Sequence, residues 1–127
     1  MQNTAGAIEG ARIFVVEDES IITMLLQDMF EELHCEIVSL ASRFDDALEK
    51  ANRLSFEVAI LDVNLNGQRT FPIAEALTAR GLPIIFATGY GAAGVPENFH
   101  AAPVLQKPFR IADLERAVRA ALAPRGA

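Results

Sequence analysis

Five residues of types that handle phosphate and divalent metal ions lie at the ends of short apolar runs. Glu17 and Asp18 follow IFVV, Asp62 ends FEVAILD, Thr88 ends PIIFAT and Lys107 follows PVLQ. Carboxylate oxygens with room for water suit Mg²⁺. A divalent cation, an ammonium and a hydroxyl can together hold a phosphoryl group while it passes to a carboxylate. With Asp62 as the nucleophile, the product is an acyl phosphate.

Each of these residues also has an ordinary structural explanation. The acidic run Glu17 to Glu19 can stabilise the N-terminus of a following helix, and Asp62 can serve the turn in DVNLNG. Thr88 is a common strand residue, and Lys107 can be a solvated charge. Only their joint placement at the ends of neighbouring strands favours chemistry.

The pattern of elements predicts that these residues meet. Five apolar, strand-like segments alternate with amphipathic segments along the chain, which indicates a parallel sheet with helices on both faces. The expected fold is flavodoxin-like (CheY-like), doubly wound, with strand order 2-1-3-4-5. In that order the carboxyl ends of strands one and three are adjacent, so Glu17, Asp18 and Asp62 share one crevice. The predicted strands are residues 12–17, 35–40, 56–61, 83–88 and 103–106.

Local signals place the helices between these strands. Ser20 is available to cap the first helix, and the second begins near residue 43. Gly81 ends the third, and Pro96 allows only a short or irregular fourth helix. Apolar spacing from Ile111 to Leu122 predicts the last helix.

Composition limits the class of protein. The chain has 127 residues, of which 51% are hydrophobic and 22% charged, so we expect a single domain that folds alone. The net charge of −6 argues against a nucleic-acid partner. The single cysteine, Cys35, suits a reducing compartment, and no segment is basic and apolar enough for a signal peptide or a membrane span. We therefore expect a cytoplasmic protein without a membrane partner.

The glycines after the fourth strand are spaced as in a dinucleotide-binding loop. Gly89, Gly91 and Gly94 give G-x-G-x-x-G. That loop normally follows the first strand and needs an acidic residue at the end of the second strand, whereas here Glu115 lies in the last helix. Pro96 also falls where the phosphate-binding helix would run. These observations disfavour a dinucleotide and leave the possibility that the glycines merely turn the chain out of the sheet.

Four segments together carry a family resemblance. VVEDES, ILDVNLNG, FATGYG and LQKPF resemble, in order and spacing, the motifs of the receiver domain of two-component response regulators, across about residues 11–123. The resemblance implies a single receiver domain over residues 1–127 with no output domain. It implies that Asp62 accepts a phosphoryl group from a histidine kinase or a histidine phosphotransferase.

The resemblance also implies the other site residues. Glu17 and Asp18 would help to bind the Mg²⁺ cofactor, with the backbone carbonyl of Asn64 as a further ligand. Thr88 and Lys107 would contact the phosphoryl oxygens. The bond between Lys107 and Pro108 is usually cis in this family.

Some positions depart from the common receiver pattern. Val104 stands where most receivers have an aromatic residue, and FATGYG resembles the FATGUY subgroup, named for its Phe-Ala-Thr-Gly motif. Tyr90 could gate or report the state of Asp62, or be an ordinary loop tyrosine. Gly89 would keep bulk away from the phosphoryl group. Asn66 replaces a proline often found before the loop glycine, which predicts a less rigid turn.

The sequence therefore predicts a phosphorylation-dependent signalling switch, not a metabolic enzyme, that acts by protein contact or onward phosphotransfer as a monomer or weak dimer. One alternative is a small Mg²⁺-dependent phosphatase that forms an aspartyl phosphate, which turnover of a phosphate ester would reveal. A second is a flavin binder, although the acidic loop VEDES would repel a phosphate. A third is a binding module on the same fold that is never phosphorylated.

Overall fold

A central parallel sheet positions every candidate residue. The computed structural model describes residues 8–90 and 94–123. Gly91, one of the three loop glycines, lies outside the described residues. The elements, in chain order, are β1 (Arg12–Val16), α1 (Ser20–Glu32), β2 (Glu36–Ala41), α2 (Phe44–Arg53), β3 (Val58–Asp62), β4 (Asn64–Leu65), β5 (Gln68–Arg69), α3 (Phe71–Ala79), β6 (Ile84–Thr88), a 3₁₀ turn (Glu97–Phe99), β7 (Val104–Gln106) and α4 (Ile111–Leu122).

The strand order confirms the predicted doubly wound topology. The five-stranded sheet runs β2-β1-β3-β6-β7, with every neighbouring pair parallel. This is the order 2-1-3-4-5 once the separate two-stranded hairpin β4-β5 is set aside. The order reverses between β1 and β3, so the crevice between their carboxyl ends is the expected binding position of such a fold.

Alternating side chains of the central strands fill two cores. Ile13 and Val15 of β1 pack with residues of α1 and α4 on one face of the sheet, whereas Phe14 and Val16 pack with residues of α2 and α3 on the other. Burial on both faces explains why these strands are continuous apolar runs rather than alternating ones. The sheet is thereby held rigidly beneath its polar edge.

Backbone bonds continue the sheet beyond the strand ends, where the candidate residues lie. The N–H of Glu17 donates to the carbonyl of Ala41 at 3.0 Å. The N–H of Lys107 donates to the carbonyl of Thr88 at 2.9 Å. The edge of the sheet therefore fixes the backbone of these residues as well as their order.

Three local predictions meet different outcomes. The prediction of Ser20 as a helix cap is wrong, because Ser20 is already the first residue of α1 and Glu19 occupies the cap position without a side-chain bond. Between Pro96 and β7 the only helical element is the short 3₁₀ turn, as predicted. The segment NLNG was expected to form a turn: Asn66 and Gly67 do form the turn of the hairpin β4-β5, whereas Asn64 and Leu65 before them form the strand β4. No helix among the described residues is long and apolar enough to cross a membrane.

We expect Phe86→Ala to lower the free energy of unfolding by about 3 to 5 kcal/mol. The Phe86 ring is fully buried and meets the rings of Phe71 and Phe99 edge-on, with centroids 5.9 and 5.4 Å away. Urea unfolding followed by circular dichroism measures the loss. The control is Ile21→Ala, which alters a side chain that is 77% exposed and should change stability by less than about 0.5 kcal/mol. Equal effects of the two variants would contradict the described core.

Candidate functional site

Three carboxylates meet at the carboxyl edge of the sheet, as the sequence predicts. Glu17 and Asp18 follow β1, and Asp62 is the last residue of β3. One oxygen from each lies within 4.8 Å of the others. Glu17 and Asp62 are buried, with 4% and 6% of their surface exposed, and Asp18 is half-buried. Buried carboxylates at this separation repel one another, so the cluster needs positive charge.

Lys107 supplies that charge within the described part of the chain. Its ammonium lies 3.1 Å from Oε1 of Glu17 and 3.3 Å from Oδ2 of Asp62. The same ammonium lies 3.4 Å from Oε1 of Glu19. Sequence reasoning treated Glu19 only as a possible helix-terminus charge and missed this contact. A single ammonium is thus shared among three carboxylates.

The ionisation of the cluster reflects burial and crowding. Burial, followed by repulsion from Asp62, raises the pKa of Glu17 from 4.5 to about 7. Burial also raises the pKa of Asp62, although the charge of Lys107 and the hydrogen bond from Asn64 oppose it. For Lys107, burial lowers the pKa, but the contacts with Glu17 and Asp62 more than offset this and the net pKa is raised.

The donor set fits a hard divalent cation. The clustered ligand atoms are carboxylate oxygens, which Mg²⁺ prefers over nitrogen or sulfur. Repulsion between Glu17 and Asp62 would be relieved by a dication at the cluster, and the half-buried position of Asp18 leaves that side open to water. Asn64 begins β4 two residues after Asp62, and its N–H donates to Oδ1 of Asp62 at 3.2 Å.

The opposite wall of the crevice is formed by the end of β6 and the loop after it. Thr88 is 97% buried, since only 3% of its surface is exposed, and its Oγ1 accepts a hydrogen bond from the N–H of Tyr90 at 3.1 Å. The Tyr90 side chain is 82% exposed and does not cover Asp62 in this conformation. A Cβ added at Gly89 would meet no atom within 4 Å, so its surroundings do not themselves require glycine.

The end of β7 carries the remaining predicted residues. Val104 begins the strand at the edge of the sheet and is half-buried. The peptide bond between Lys107 and Pro108 is cis. The strand therefore delivers the ammonium of Lys107 to the cluster, while Val104 lies three residues away at the other end.

The hairpin after Asp62 brings two further residues to the site. The N–H of Asn66 donates to Oδ2 of Asp18 at 3.0 Å and its side-chain amide donates to the carbonyl of Ser42 at 3.1 Å, whereas the lower rigidity expected of this turn without proline stays a prediction. Thr70 is fully buried and its hydroxyl donates to the carbonyl of Asp62 at 2.7 Å. Sequence reasoning missed Thr70, since a lone threonine before a helix carries no distinctive signal.

Comparison with known proteins agrees with this geometry. The model of the response regulator receiver domain matches residues 13–119. The chain belongs to this family. It therefore has the receiver fold, and domains of this family act in phosphorylation-dependent signalling by two-component systems. Receiver domains bind Mg²⁺ at an acidic pocket and interact with histidine kinases or histidine phosphotransferases.

Individual relatives are similar over most of the chain. SdrG from Sphingomonas melonis Fr1 is 40% identical, with a TM-score of 0.80 over 90% of this chain and 98% of that one. SdrG from Pseudomonas melonis Fr1 in its BeF₃-activated conformation is 41% identical, with a TM-score of 0.76 over 88% and 96%. The transcriptional regulatory protein PdtaR of Mycobacterium tuberculosis is 30% identical over 93% of this chain and 60% of its own length. The chain thus spans about three fifths of that curated relative.

We expect the free energy of unfolding of the metal-free protein to fall as pH rises from 4.5 to about 7. Glu17 has a pKa of 4.5 when unfolded and about 7 when folded, so the native state binds more protons in this window and loses that stabilisation as Glu17 ionises. The expected contribution is on the order of 1 to 3 kcal/mol. Urea unfolding in a chelating buffer at several pH values measures it.

The matched control for this pH dependence is Glu17→Gln, which mimics the protonated side chain. Its stability should change less than that of the wild type between pH 4.5 and 7. Parallel profiles for the two proteins would contradict the assignment of this pH dependence to Glu17.

Proposed function

We propose that Asp62 accepts a phosphoryl group from a phosphohistidine on a histidine kinase or histidine phosphotransferase, and that the phosphorylated domain is a signalling switch. The observation that carries the proposal is the setting of the Asp62 carboxylate. It is buried at the shared strand edge, with the N–H of Asn64 on one oxygen and the ammonium of Lys107 on the other.

The transfer is a displacement at phosphorus. A carboxylate oxygen of Asp62 forms a bond to phosphorus, the phosphorus–nitrogen bond of the phosphohistidine breaks, and the imidazole nitrogen keeps the electron pair. Lys107, at 3.3 Å from Asp62, is within reach of a phosphoryl oxygen and stabilises its charge. The hydroxyl of Thr88 donates to another oxygen. Mg²⁺ held by Glu17, Asp18, Asp62 and the carbonyl of Asn64 would neutralise the negative charge that collects during transfer.

The switch starts from the hydrogen bond at Thr88. In the described conformation Thr88 Oγ1 accepts from the N–H of Tyr90, so a hydroxyl that turns toward a phosphoryl group alters the loop after β6. Tyr90 is exposed and available to a partner that reads this loop. Val104 leaves β7 without the aromatic partner of the usual receiver switch, which favours a FATGUY-type mechanism centred on β6 and its loop. The existence of a BeF₃-activated conformation of the similar SdrG supports an activated state here.

The signal would pass to a partner by protein contact or by onward phosphotransfer. The chain would act in the cytoplasm as a monomer or weak dimer, and it would have no metabolic substrate. The single-domain organisation over residues 1–127 stays a prediction, since the curated relative PdtaR is longer than this chain.

Incubation with acetyl phosphate and Mg²⁺ should add one phosphoryl group to the wild-type chain, measured by intact mass. Asp62→Asn should abolish the gain, because the amide is not a nucleophile, and a chelator should do the same by removing the cation. The control is Asp28→Asn, which changes an exposed carboxylate of α1 and should leave the gain intact. Equal labelling of Asp62→Asn and wild type would refute Asp62 as the acceptor, and steady turnover of a phosphate ester would favour a phosphatase.

A further inference from the structure

The hairpin β4-β5 is anchored directly to the backbone of the proposed acceptor. Its tip residues, Asn66 and Gly67, both have positive φ angles of 52° and 86°, which is the requirement of a two-residue type I′ turn. The side chain of Leu65 is fully buried in the core shared with α2 and α3. A hairpin held by a core side chain cannot tilt freely against the sheet.

Thr70 closes the base of the hairpin. Its hydroxyl donates to the carbonyl of Asp62 at 2.7 Å, and its N–H donates to the carbonyl of Val63 at 3.0 Å. Thr70 has no exposed surface, so water does not compete for these bonds. The hydrogen bonds that fix the base of the hairpin are therefore accepted by Asp62, the proposed acceptor of the phosphoryl group, and by its neighbour Val63.

Two backbone amides of the hairpin hold two different carboxylates of the site. The N–H of Asn64 donates to Asp62 at 3.2 Å, and the N–H of Asn66 donates to Oδ2 of Asp18 at 3.0 Å. The side chain of Asn66 reaches the carbonyl of Ser42 at 3.1 Å. The tip of the hairpin, which lies in the segment after β3, is thus hydrogen-bonded to the loops that follow β1 and β2.

We propose that Asn66 is a positioning residue whose backbone N–H fixes the rotamer of Asp18, so that this carboxylate is oriented for the cation before the cation arrives. The proposal deepens the proposed function and rests on it. Asp18 is half-buried and accepts this hydrogen bond from outside its own loop, whereas Glu17 is held by Lys107. The left-handed conformation at Asn66 belongs to the tight turn in which its N–H lies beside Asp18, and asparagine tolerates that conformation better than most residues.

Asn66→Pro tests the proposal, because proline has no N–H and cannot adopt a φ of 52°. We expect it to weaken Mg²⁺ binding by about tenfold or more, as measured by isothermal titration calorimetry without a phosphodonor. At saturating Mg²⁺ the phosphorylation rate should return toward that of the wild type, which a purely structural defect would not allow. Wild-type Mg²⁺ affinity in a folded Asn66→Pro protein would overturn the proposal.

Two further variants separate positioning from stability. Asn66→Gly keeps the N–H and the positive φ but loses the bond to Ser42, and it should bind Mg²⁺ within about twofold to threefold of the wild type. Gly67→Ala strains the same turn at a φ of 86° while keeping the amide of Asn66. It should lower stability and spare Mg²⁺ affinity. If Gly67→Ala weakens Mg²⁺ binding as much as Asn66→Pro does, the role proposed for the backbone amide of Asn66 is overturned.

If Asn66→Pro does not fold, hydrogen exchange at the backbone amide of Asn66 tests the proposal instead. Hydrogen exchange at Asn66, followed by NMR in the metal-free protein, should speed up by about tenfold in Asp18→Ala, since the acceptor is gone. Unchanged exchange would overturn the proposal. Failure of the proposed function is distinguishable, because a wild-type chain that binds Mg²⁺ through an oriented Asp18 but never takes a phosphoryl group would refute only Asp62 as the acceptor.

Discussion

The sharing of one half-buried ammonium among three carboxylates is the interaction on which the site depends. Lys107 contacts Glu17, Glu19 and Asp62 at 3.1 to 3.4 Å, and it lies at the end of a strand that reaches the same edge of the sheet. Negative charge still exceeds positive charge, and burial together with repulsion from Asp62 raises the pKa of Glu17. A dication would relieve this excess of negative charge. It would also offset the further negative charge that a phosphoryl group brings to the site.

The fold tolerates this crowding because the residues beneath it are tightly packed. Strands β1 and β3 are buried on both faces, and their register places Val16 beside Leu61 just below the carboxylates. Backbone bonds past the strand ends then leave the side chains little freedom to separate. The hydrophobic core thus sustains an electrostatic arrangement that would relax on a flexible loop.

The order of the strands and the meeting of Glu17, Asp18, Asp62 and Lys107 could be predicted from sequence, because apolar runs define the strands and parallel strands share one edge. The hairpin could not be predicted in the same way. Its tip has the Asn-Gly signal, but its strands are only two residues long and carry no alternating pattern.

Contacts between distant loops were equally hidden. The bond from Asn66 to Asp18 spans 48 positions of the chain, and the hydroxyl of Thr70 finds a backbone carbonyl that any residue could offer. Ser20 shows the opposite failure, since a residue suited to capping lies one position inside the helix. The position at which α1 begins is set by β1 and the loop after it, and this overrides the local capping preference of serine.

The most direct test of the central claim is to locate the covalent phosphoryl group. Borohydride reduces an acyl phosphate to an alcohol, so treatment of the chain after reaction with a phosphodonor should convert Asp62 to homoserine, identified by peptide mass spectrometry. Conversion at residue 62, with none at Glu17, Asp18 or Glu19, is the result that the account predicts. Conversion at another carboxylate in a folded, phosphorylated protein would contradict it.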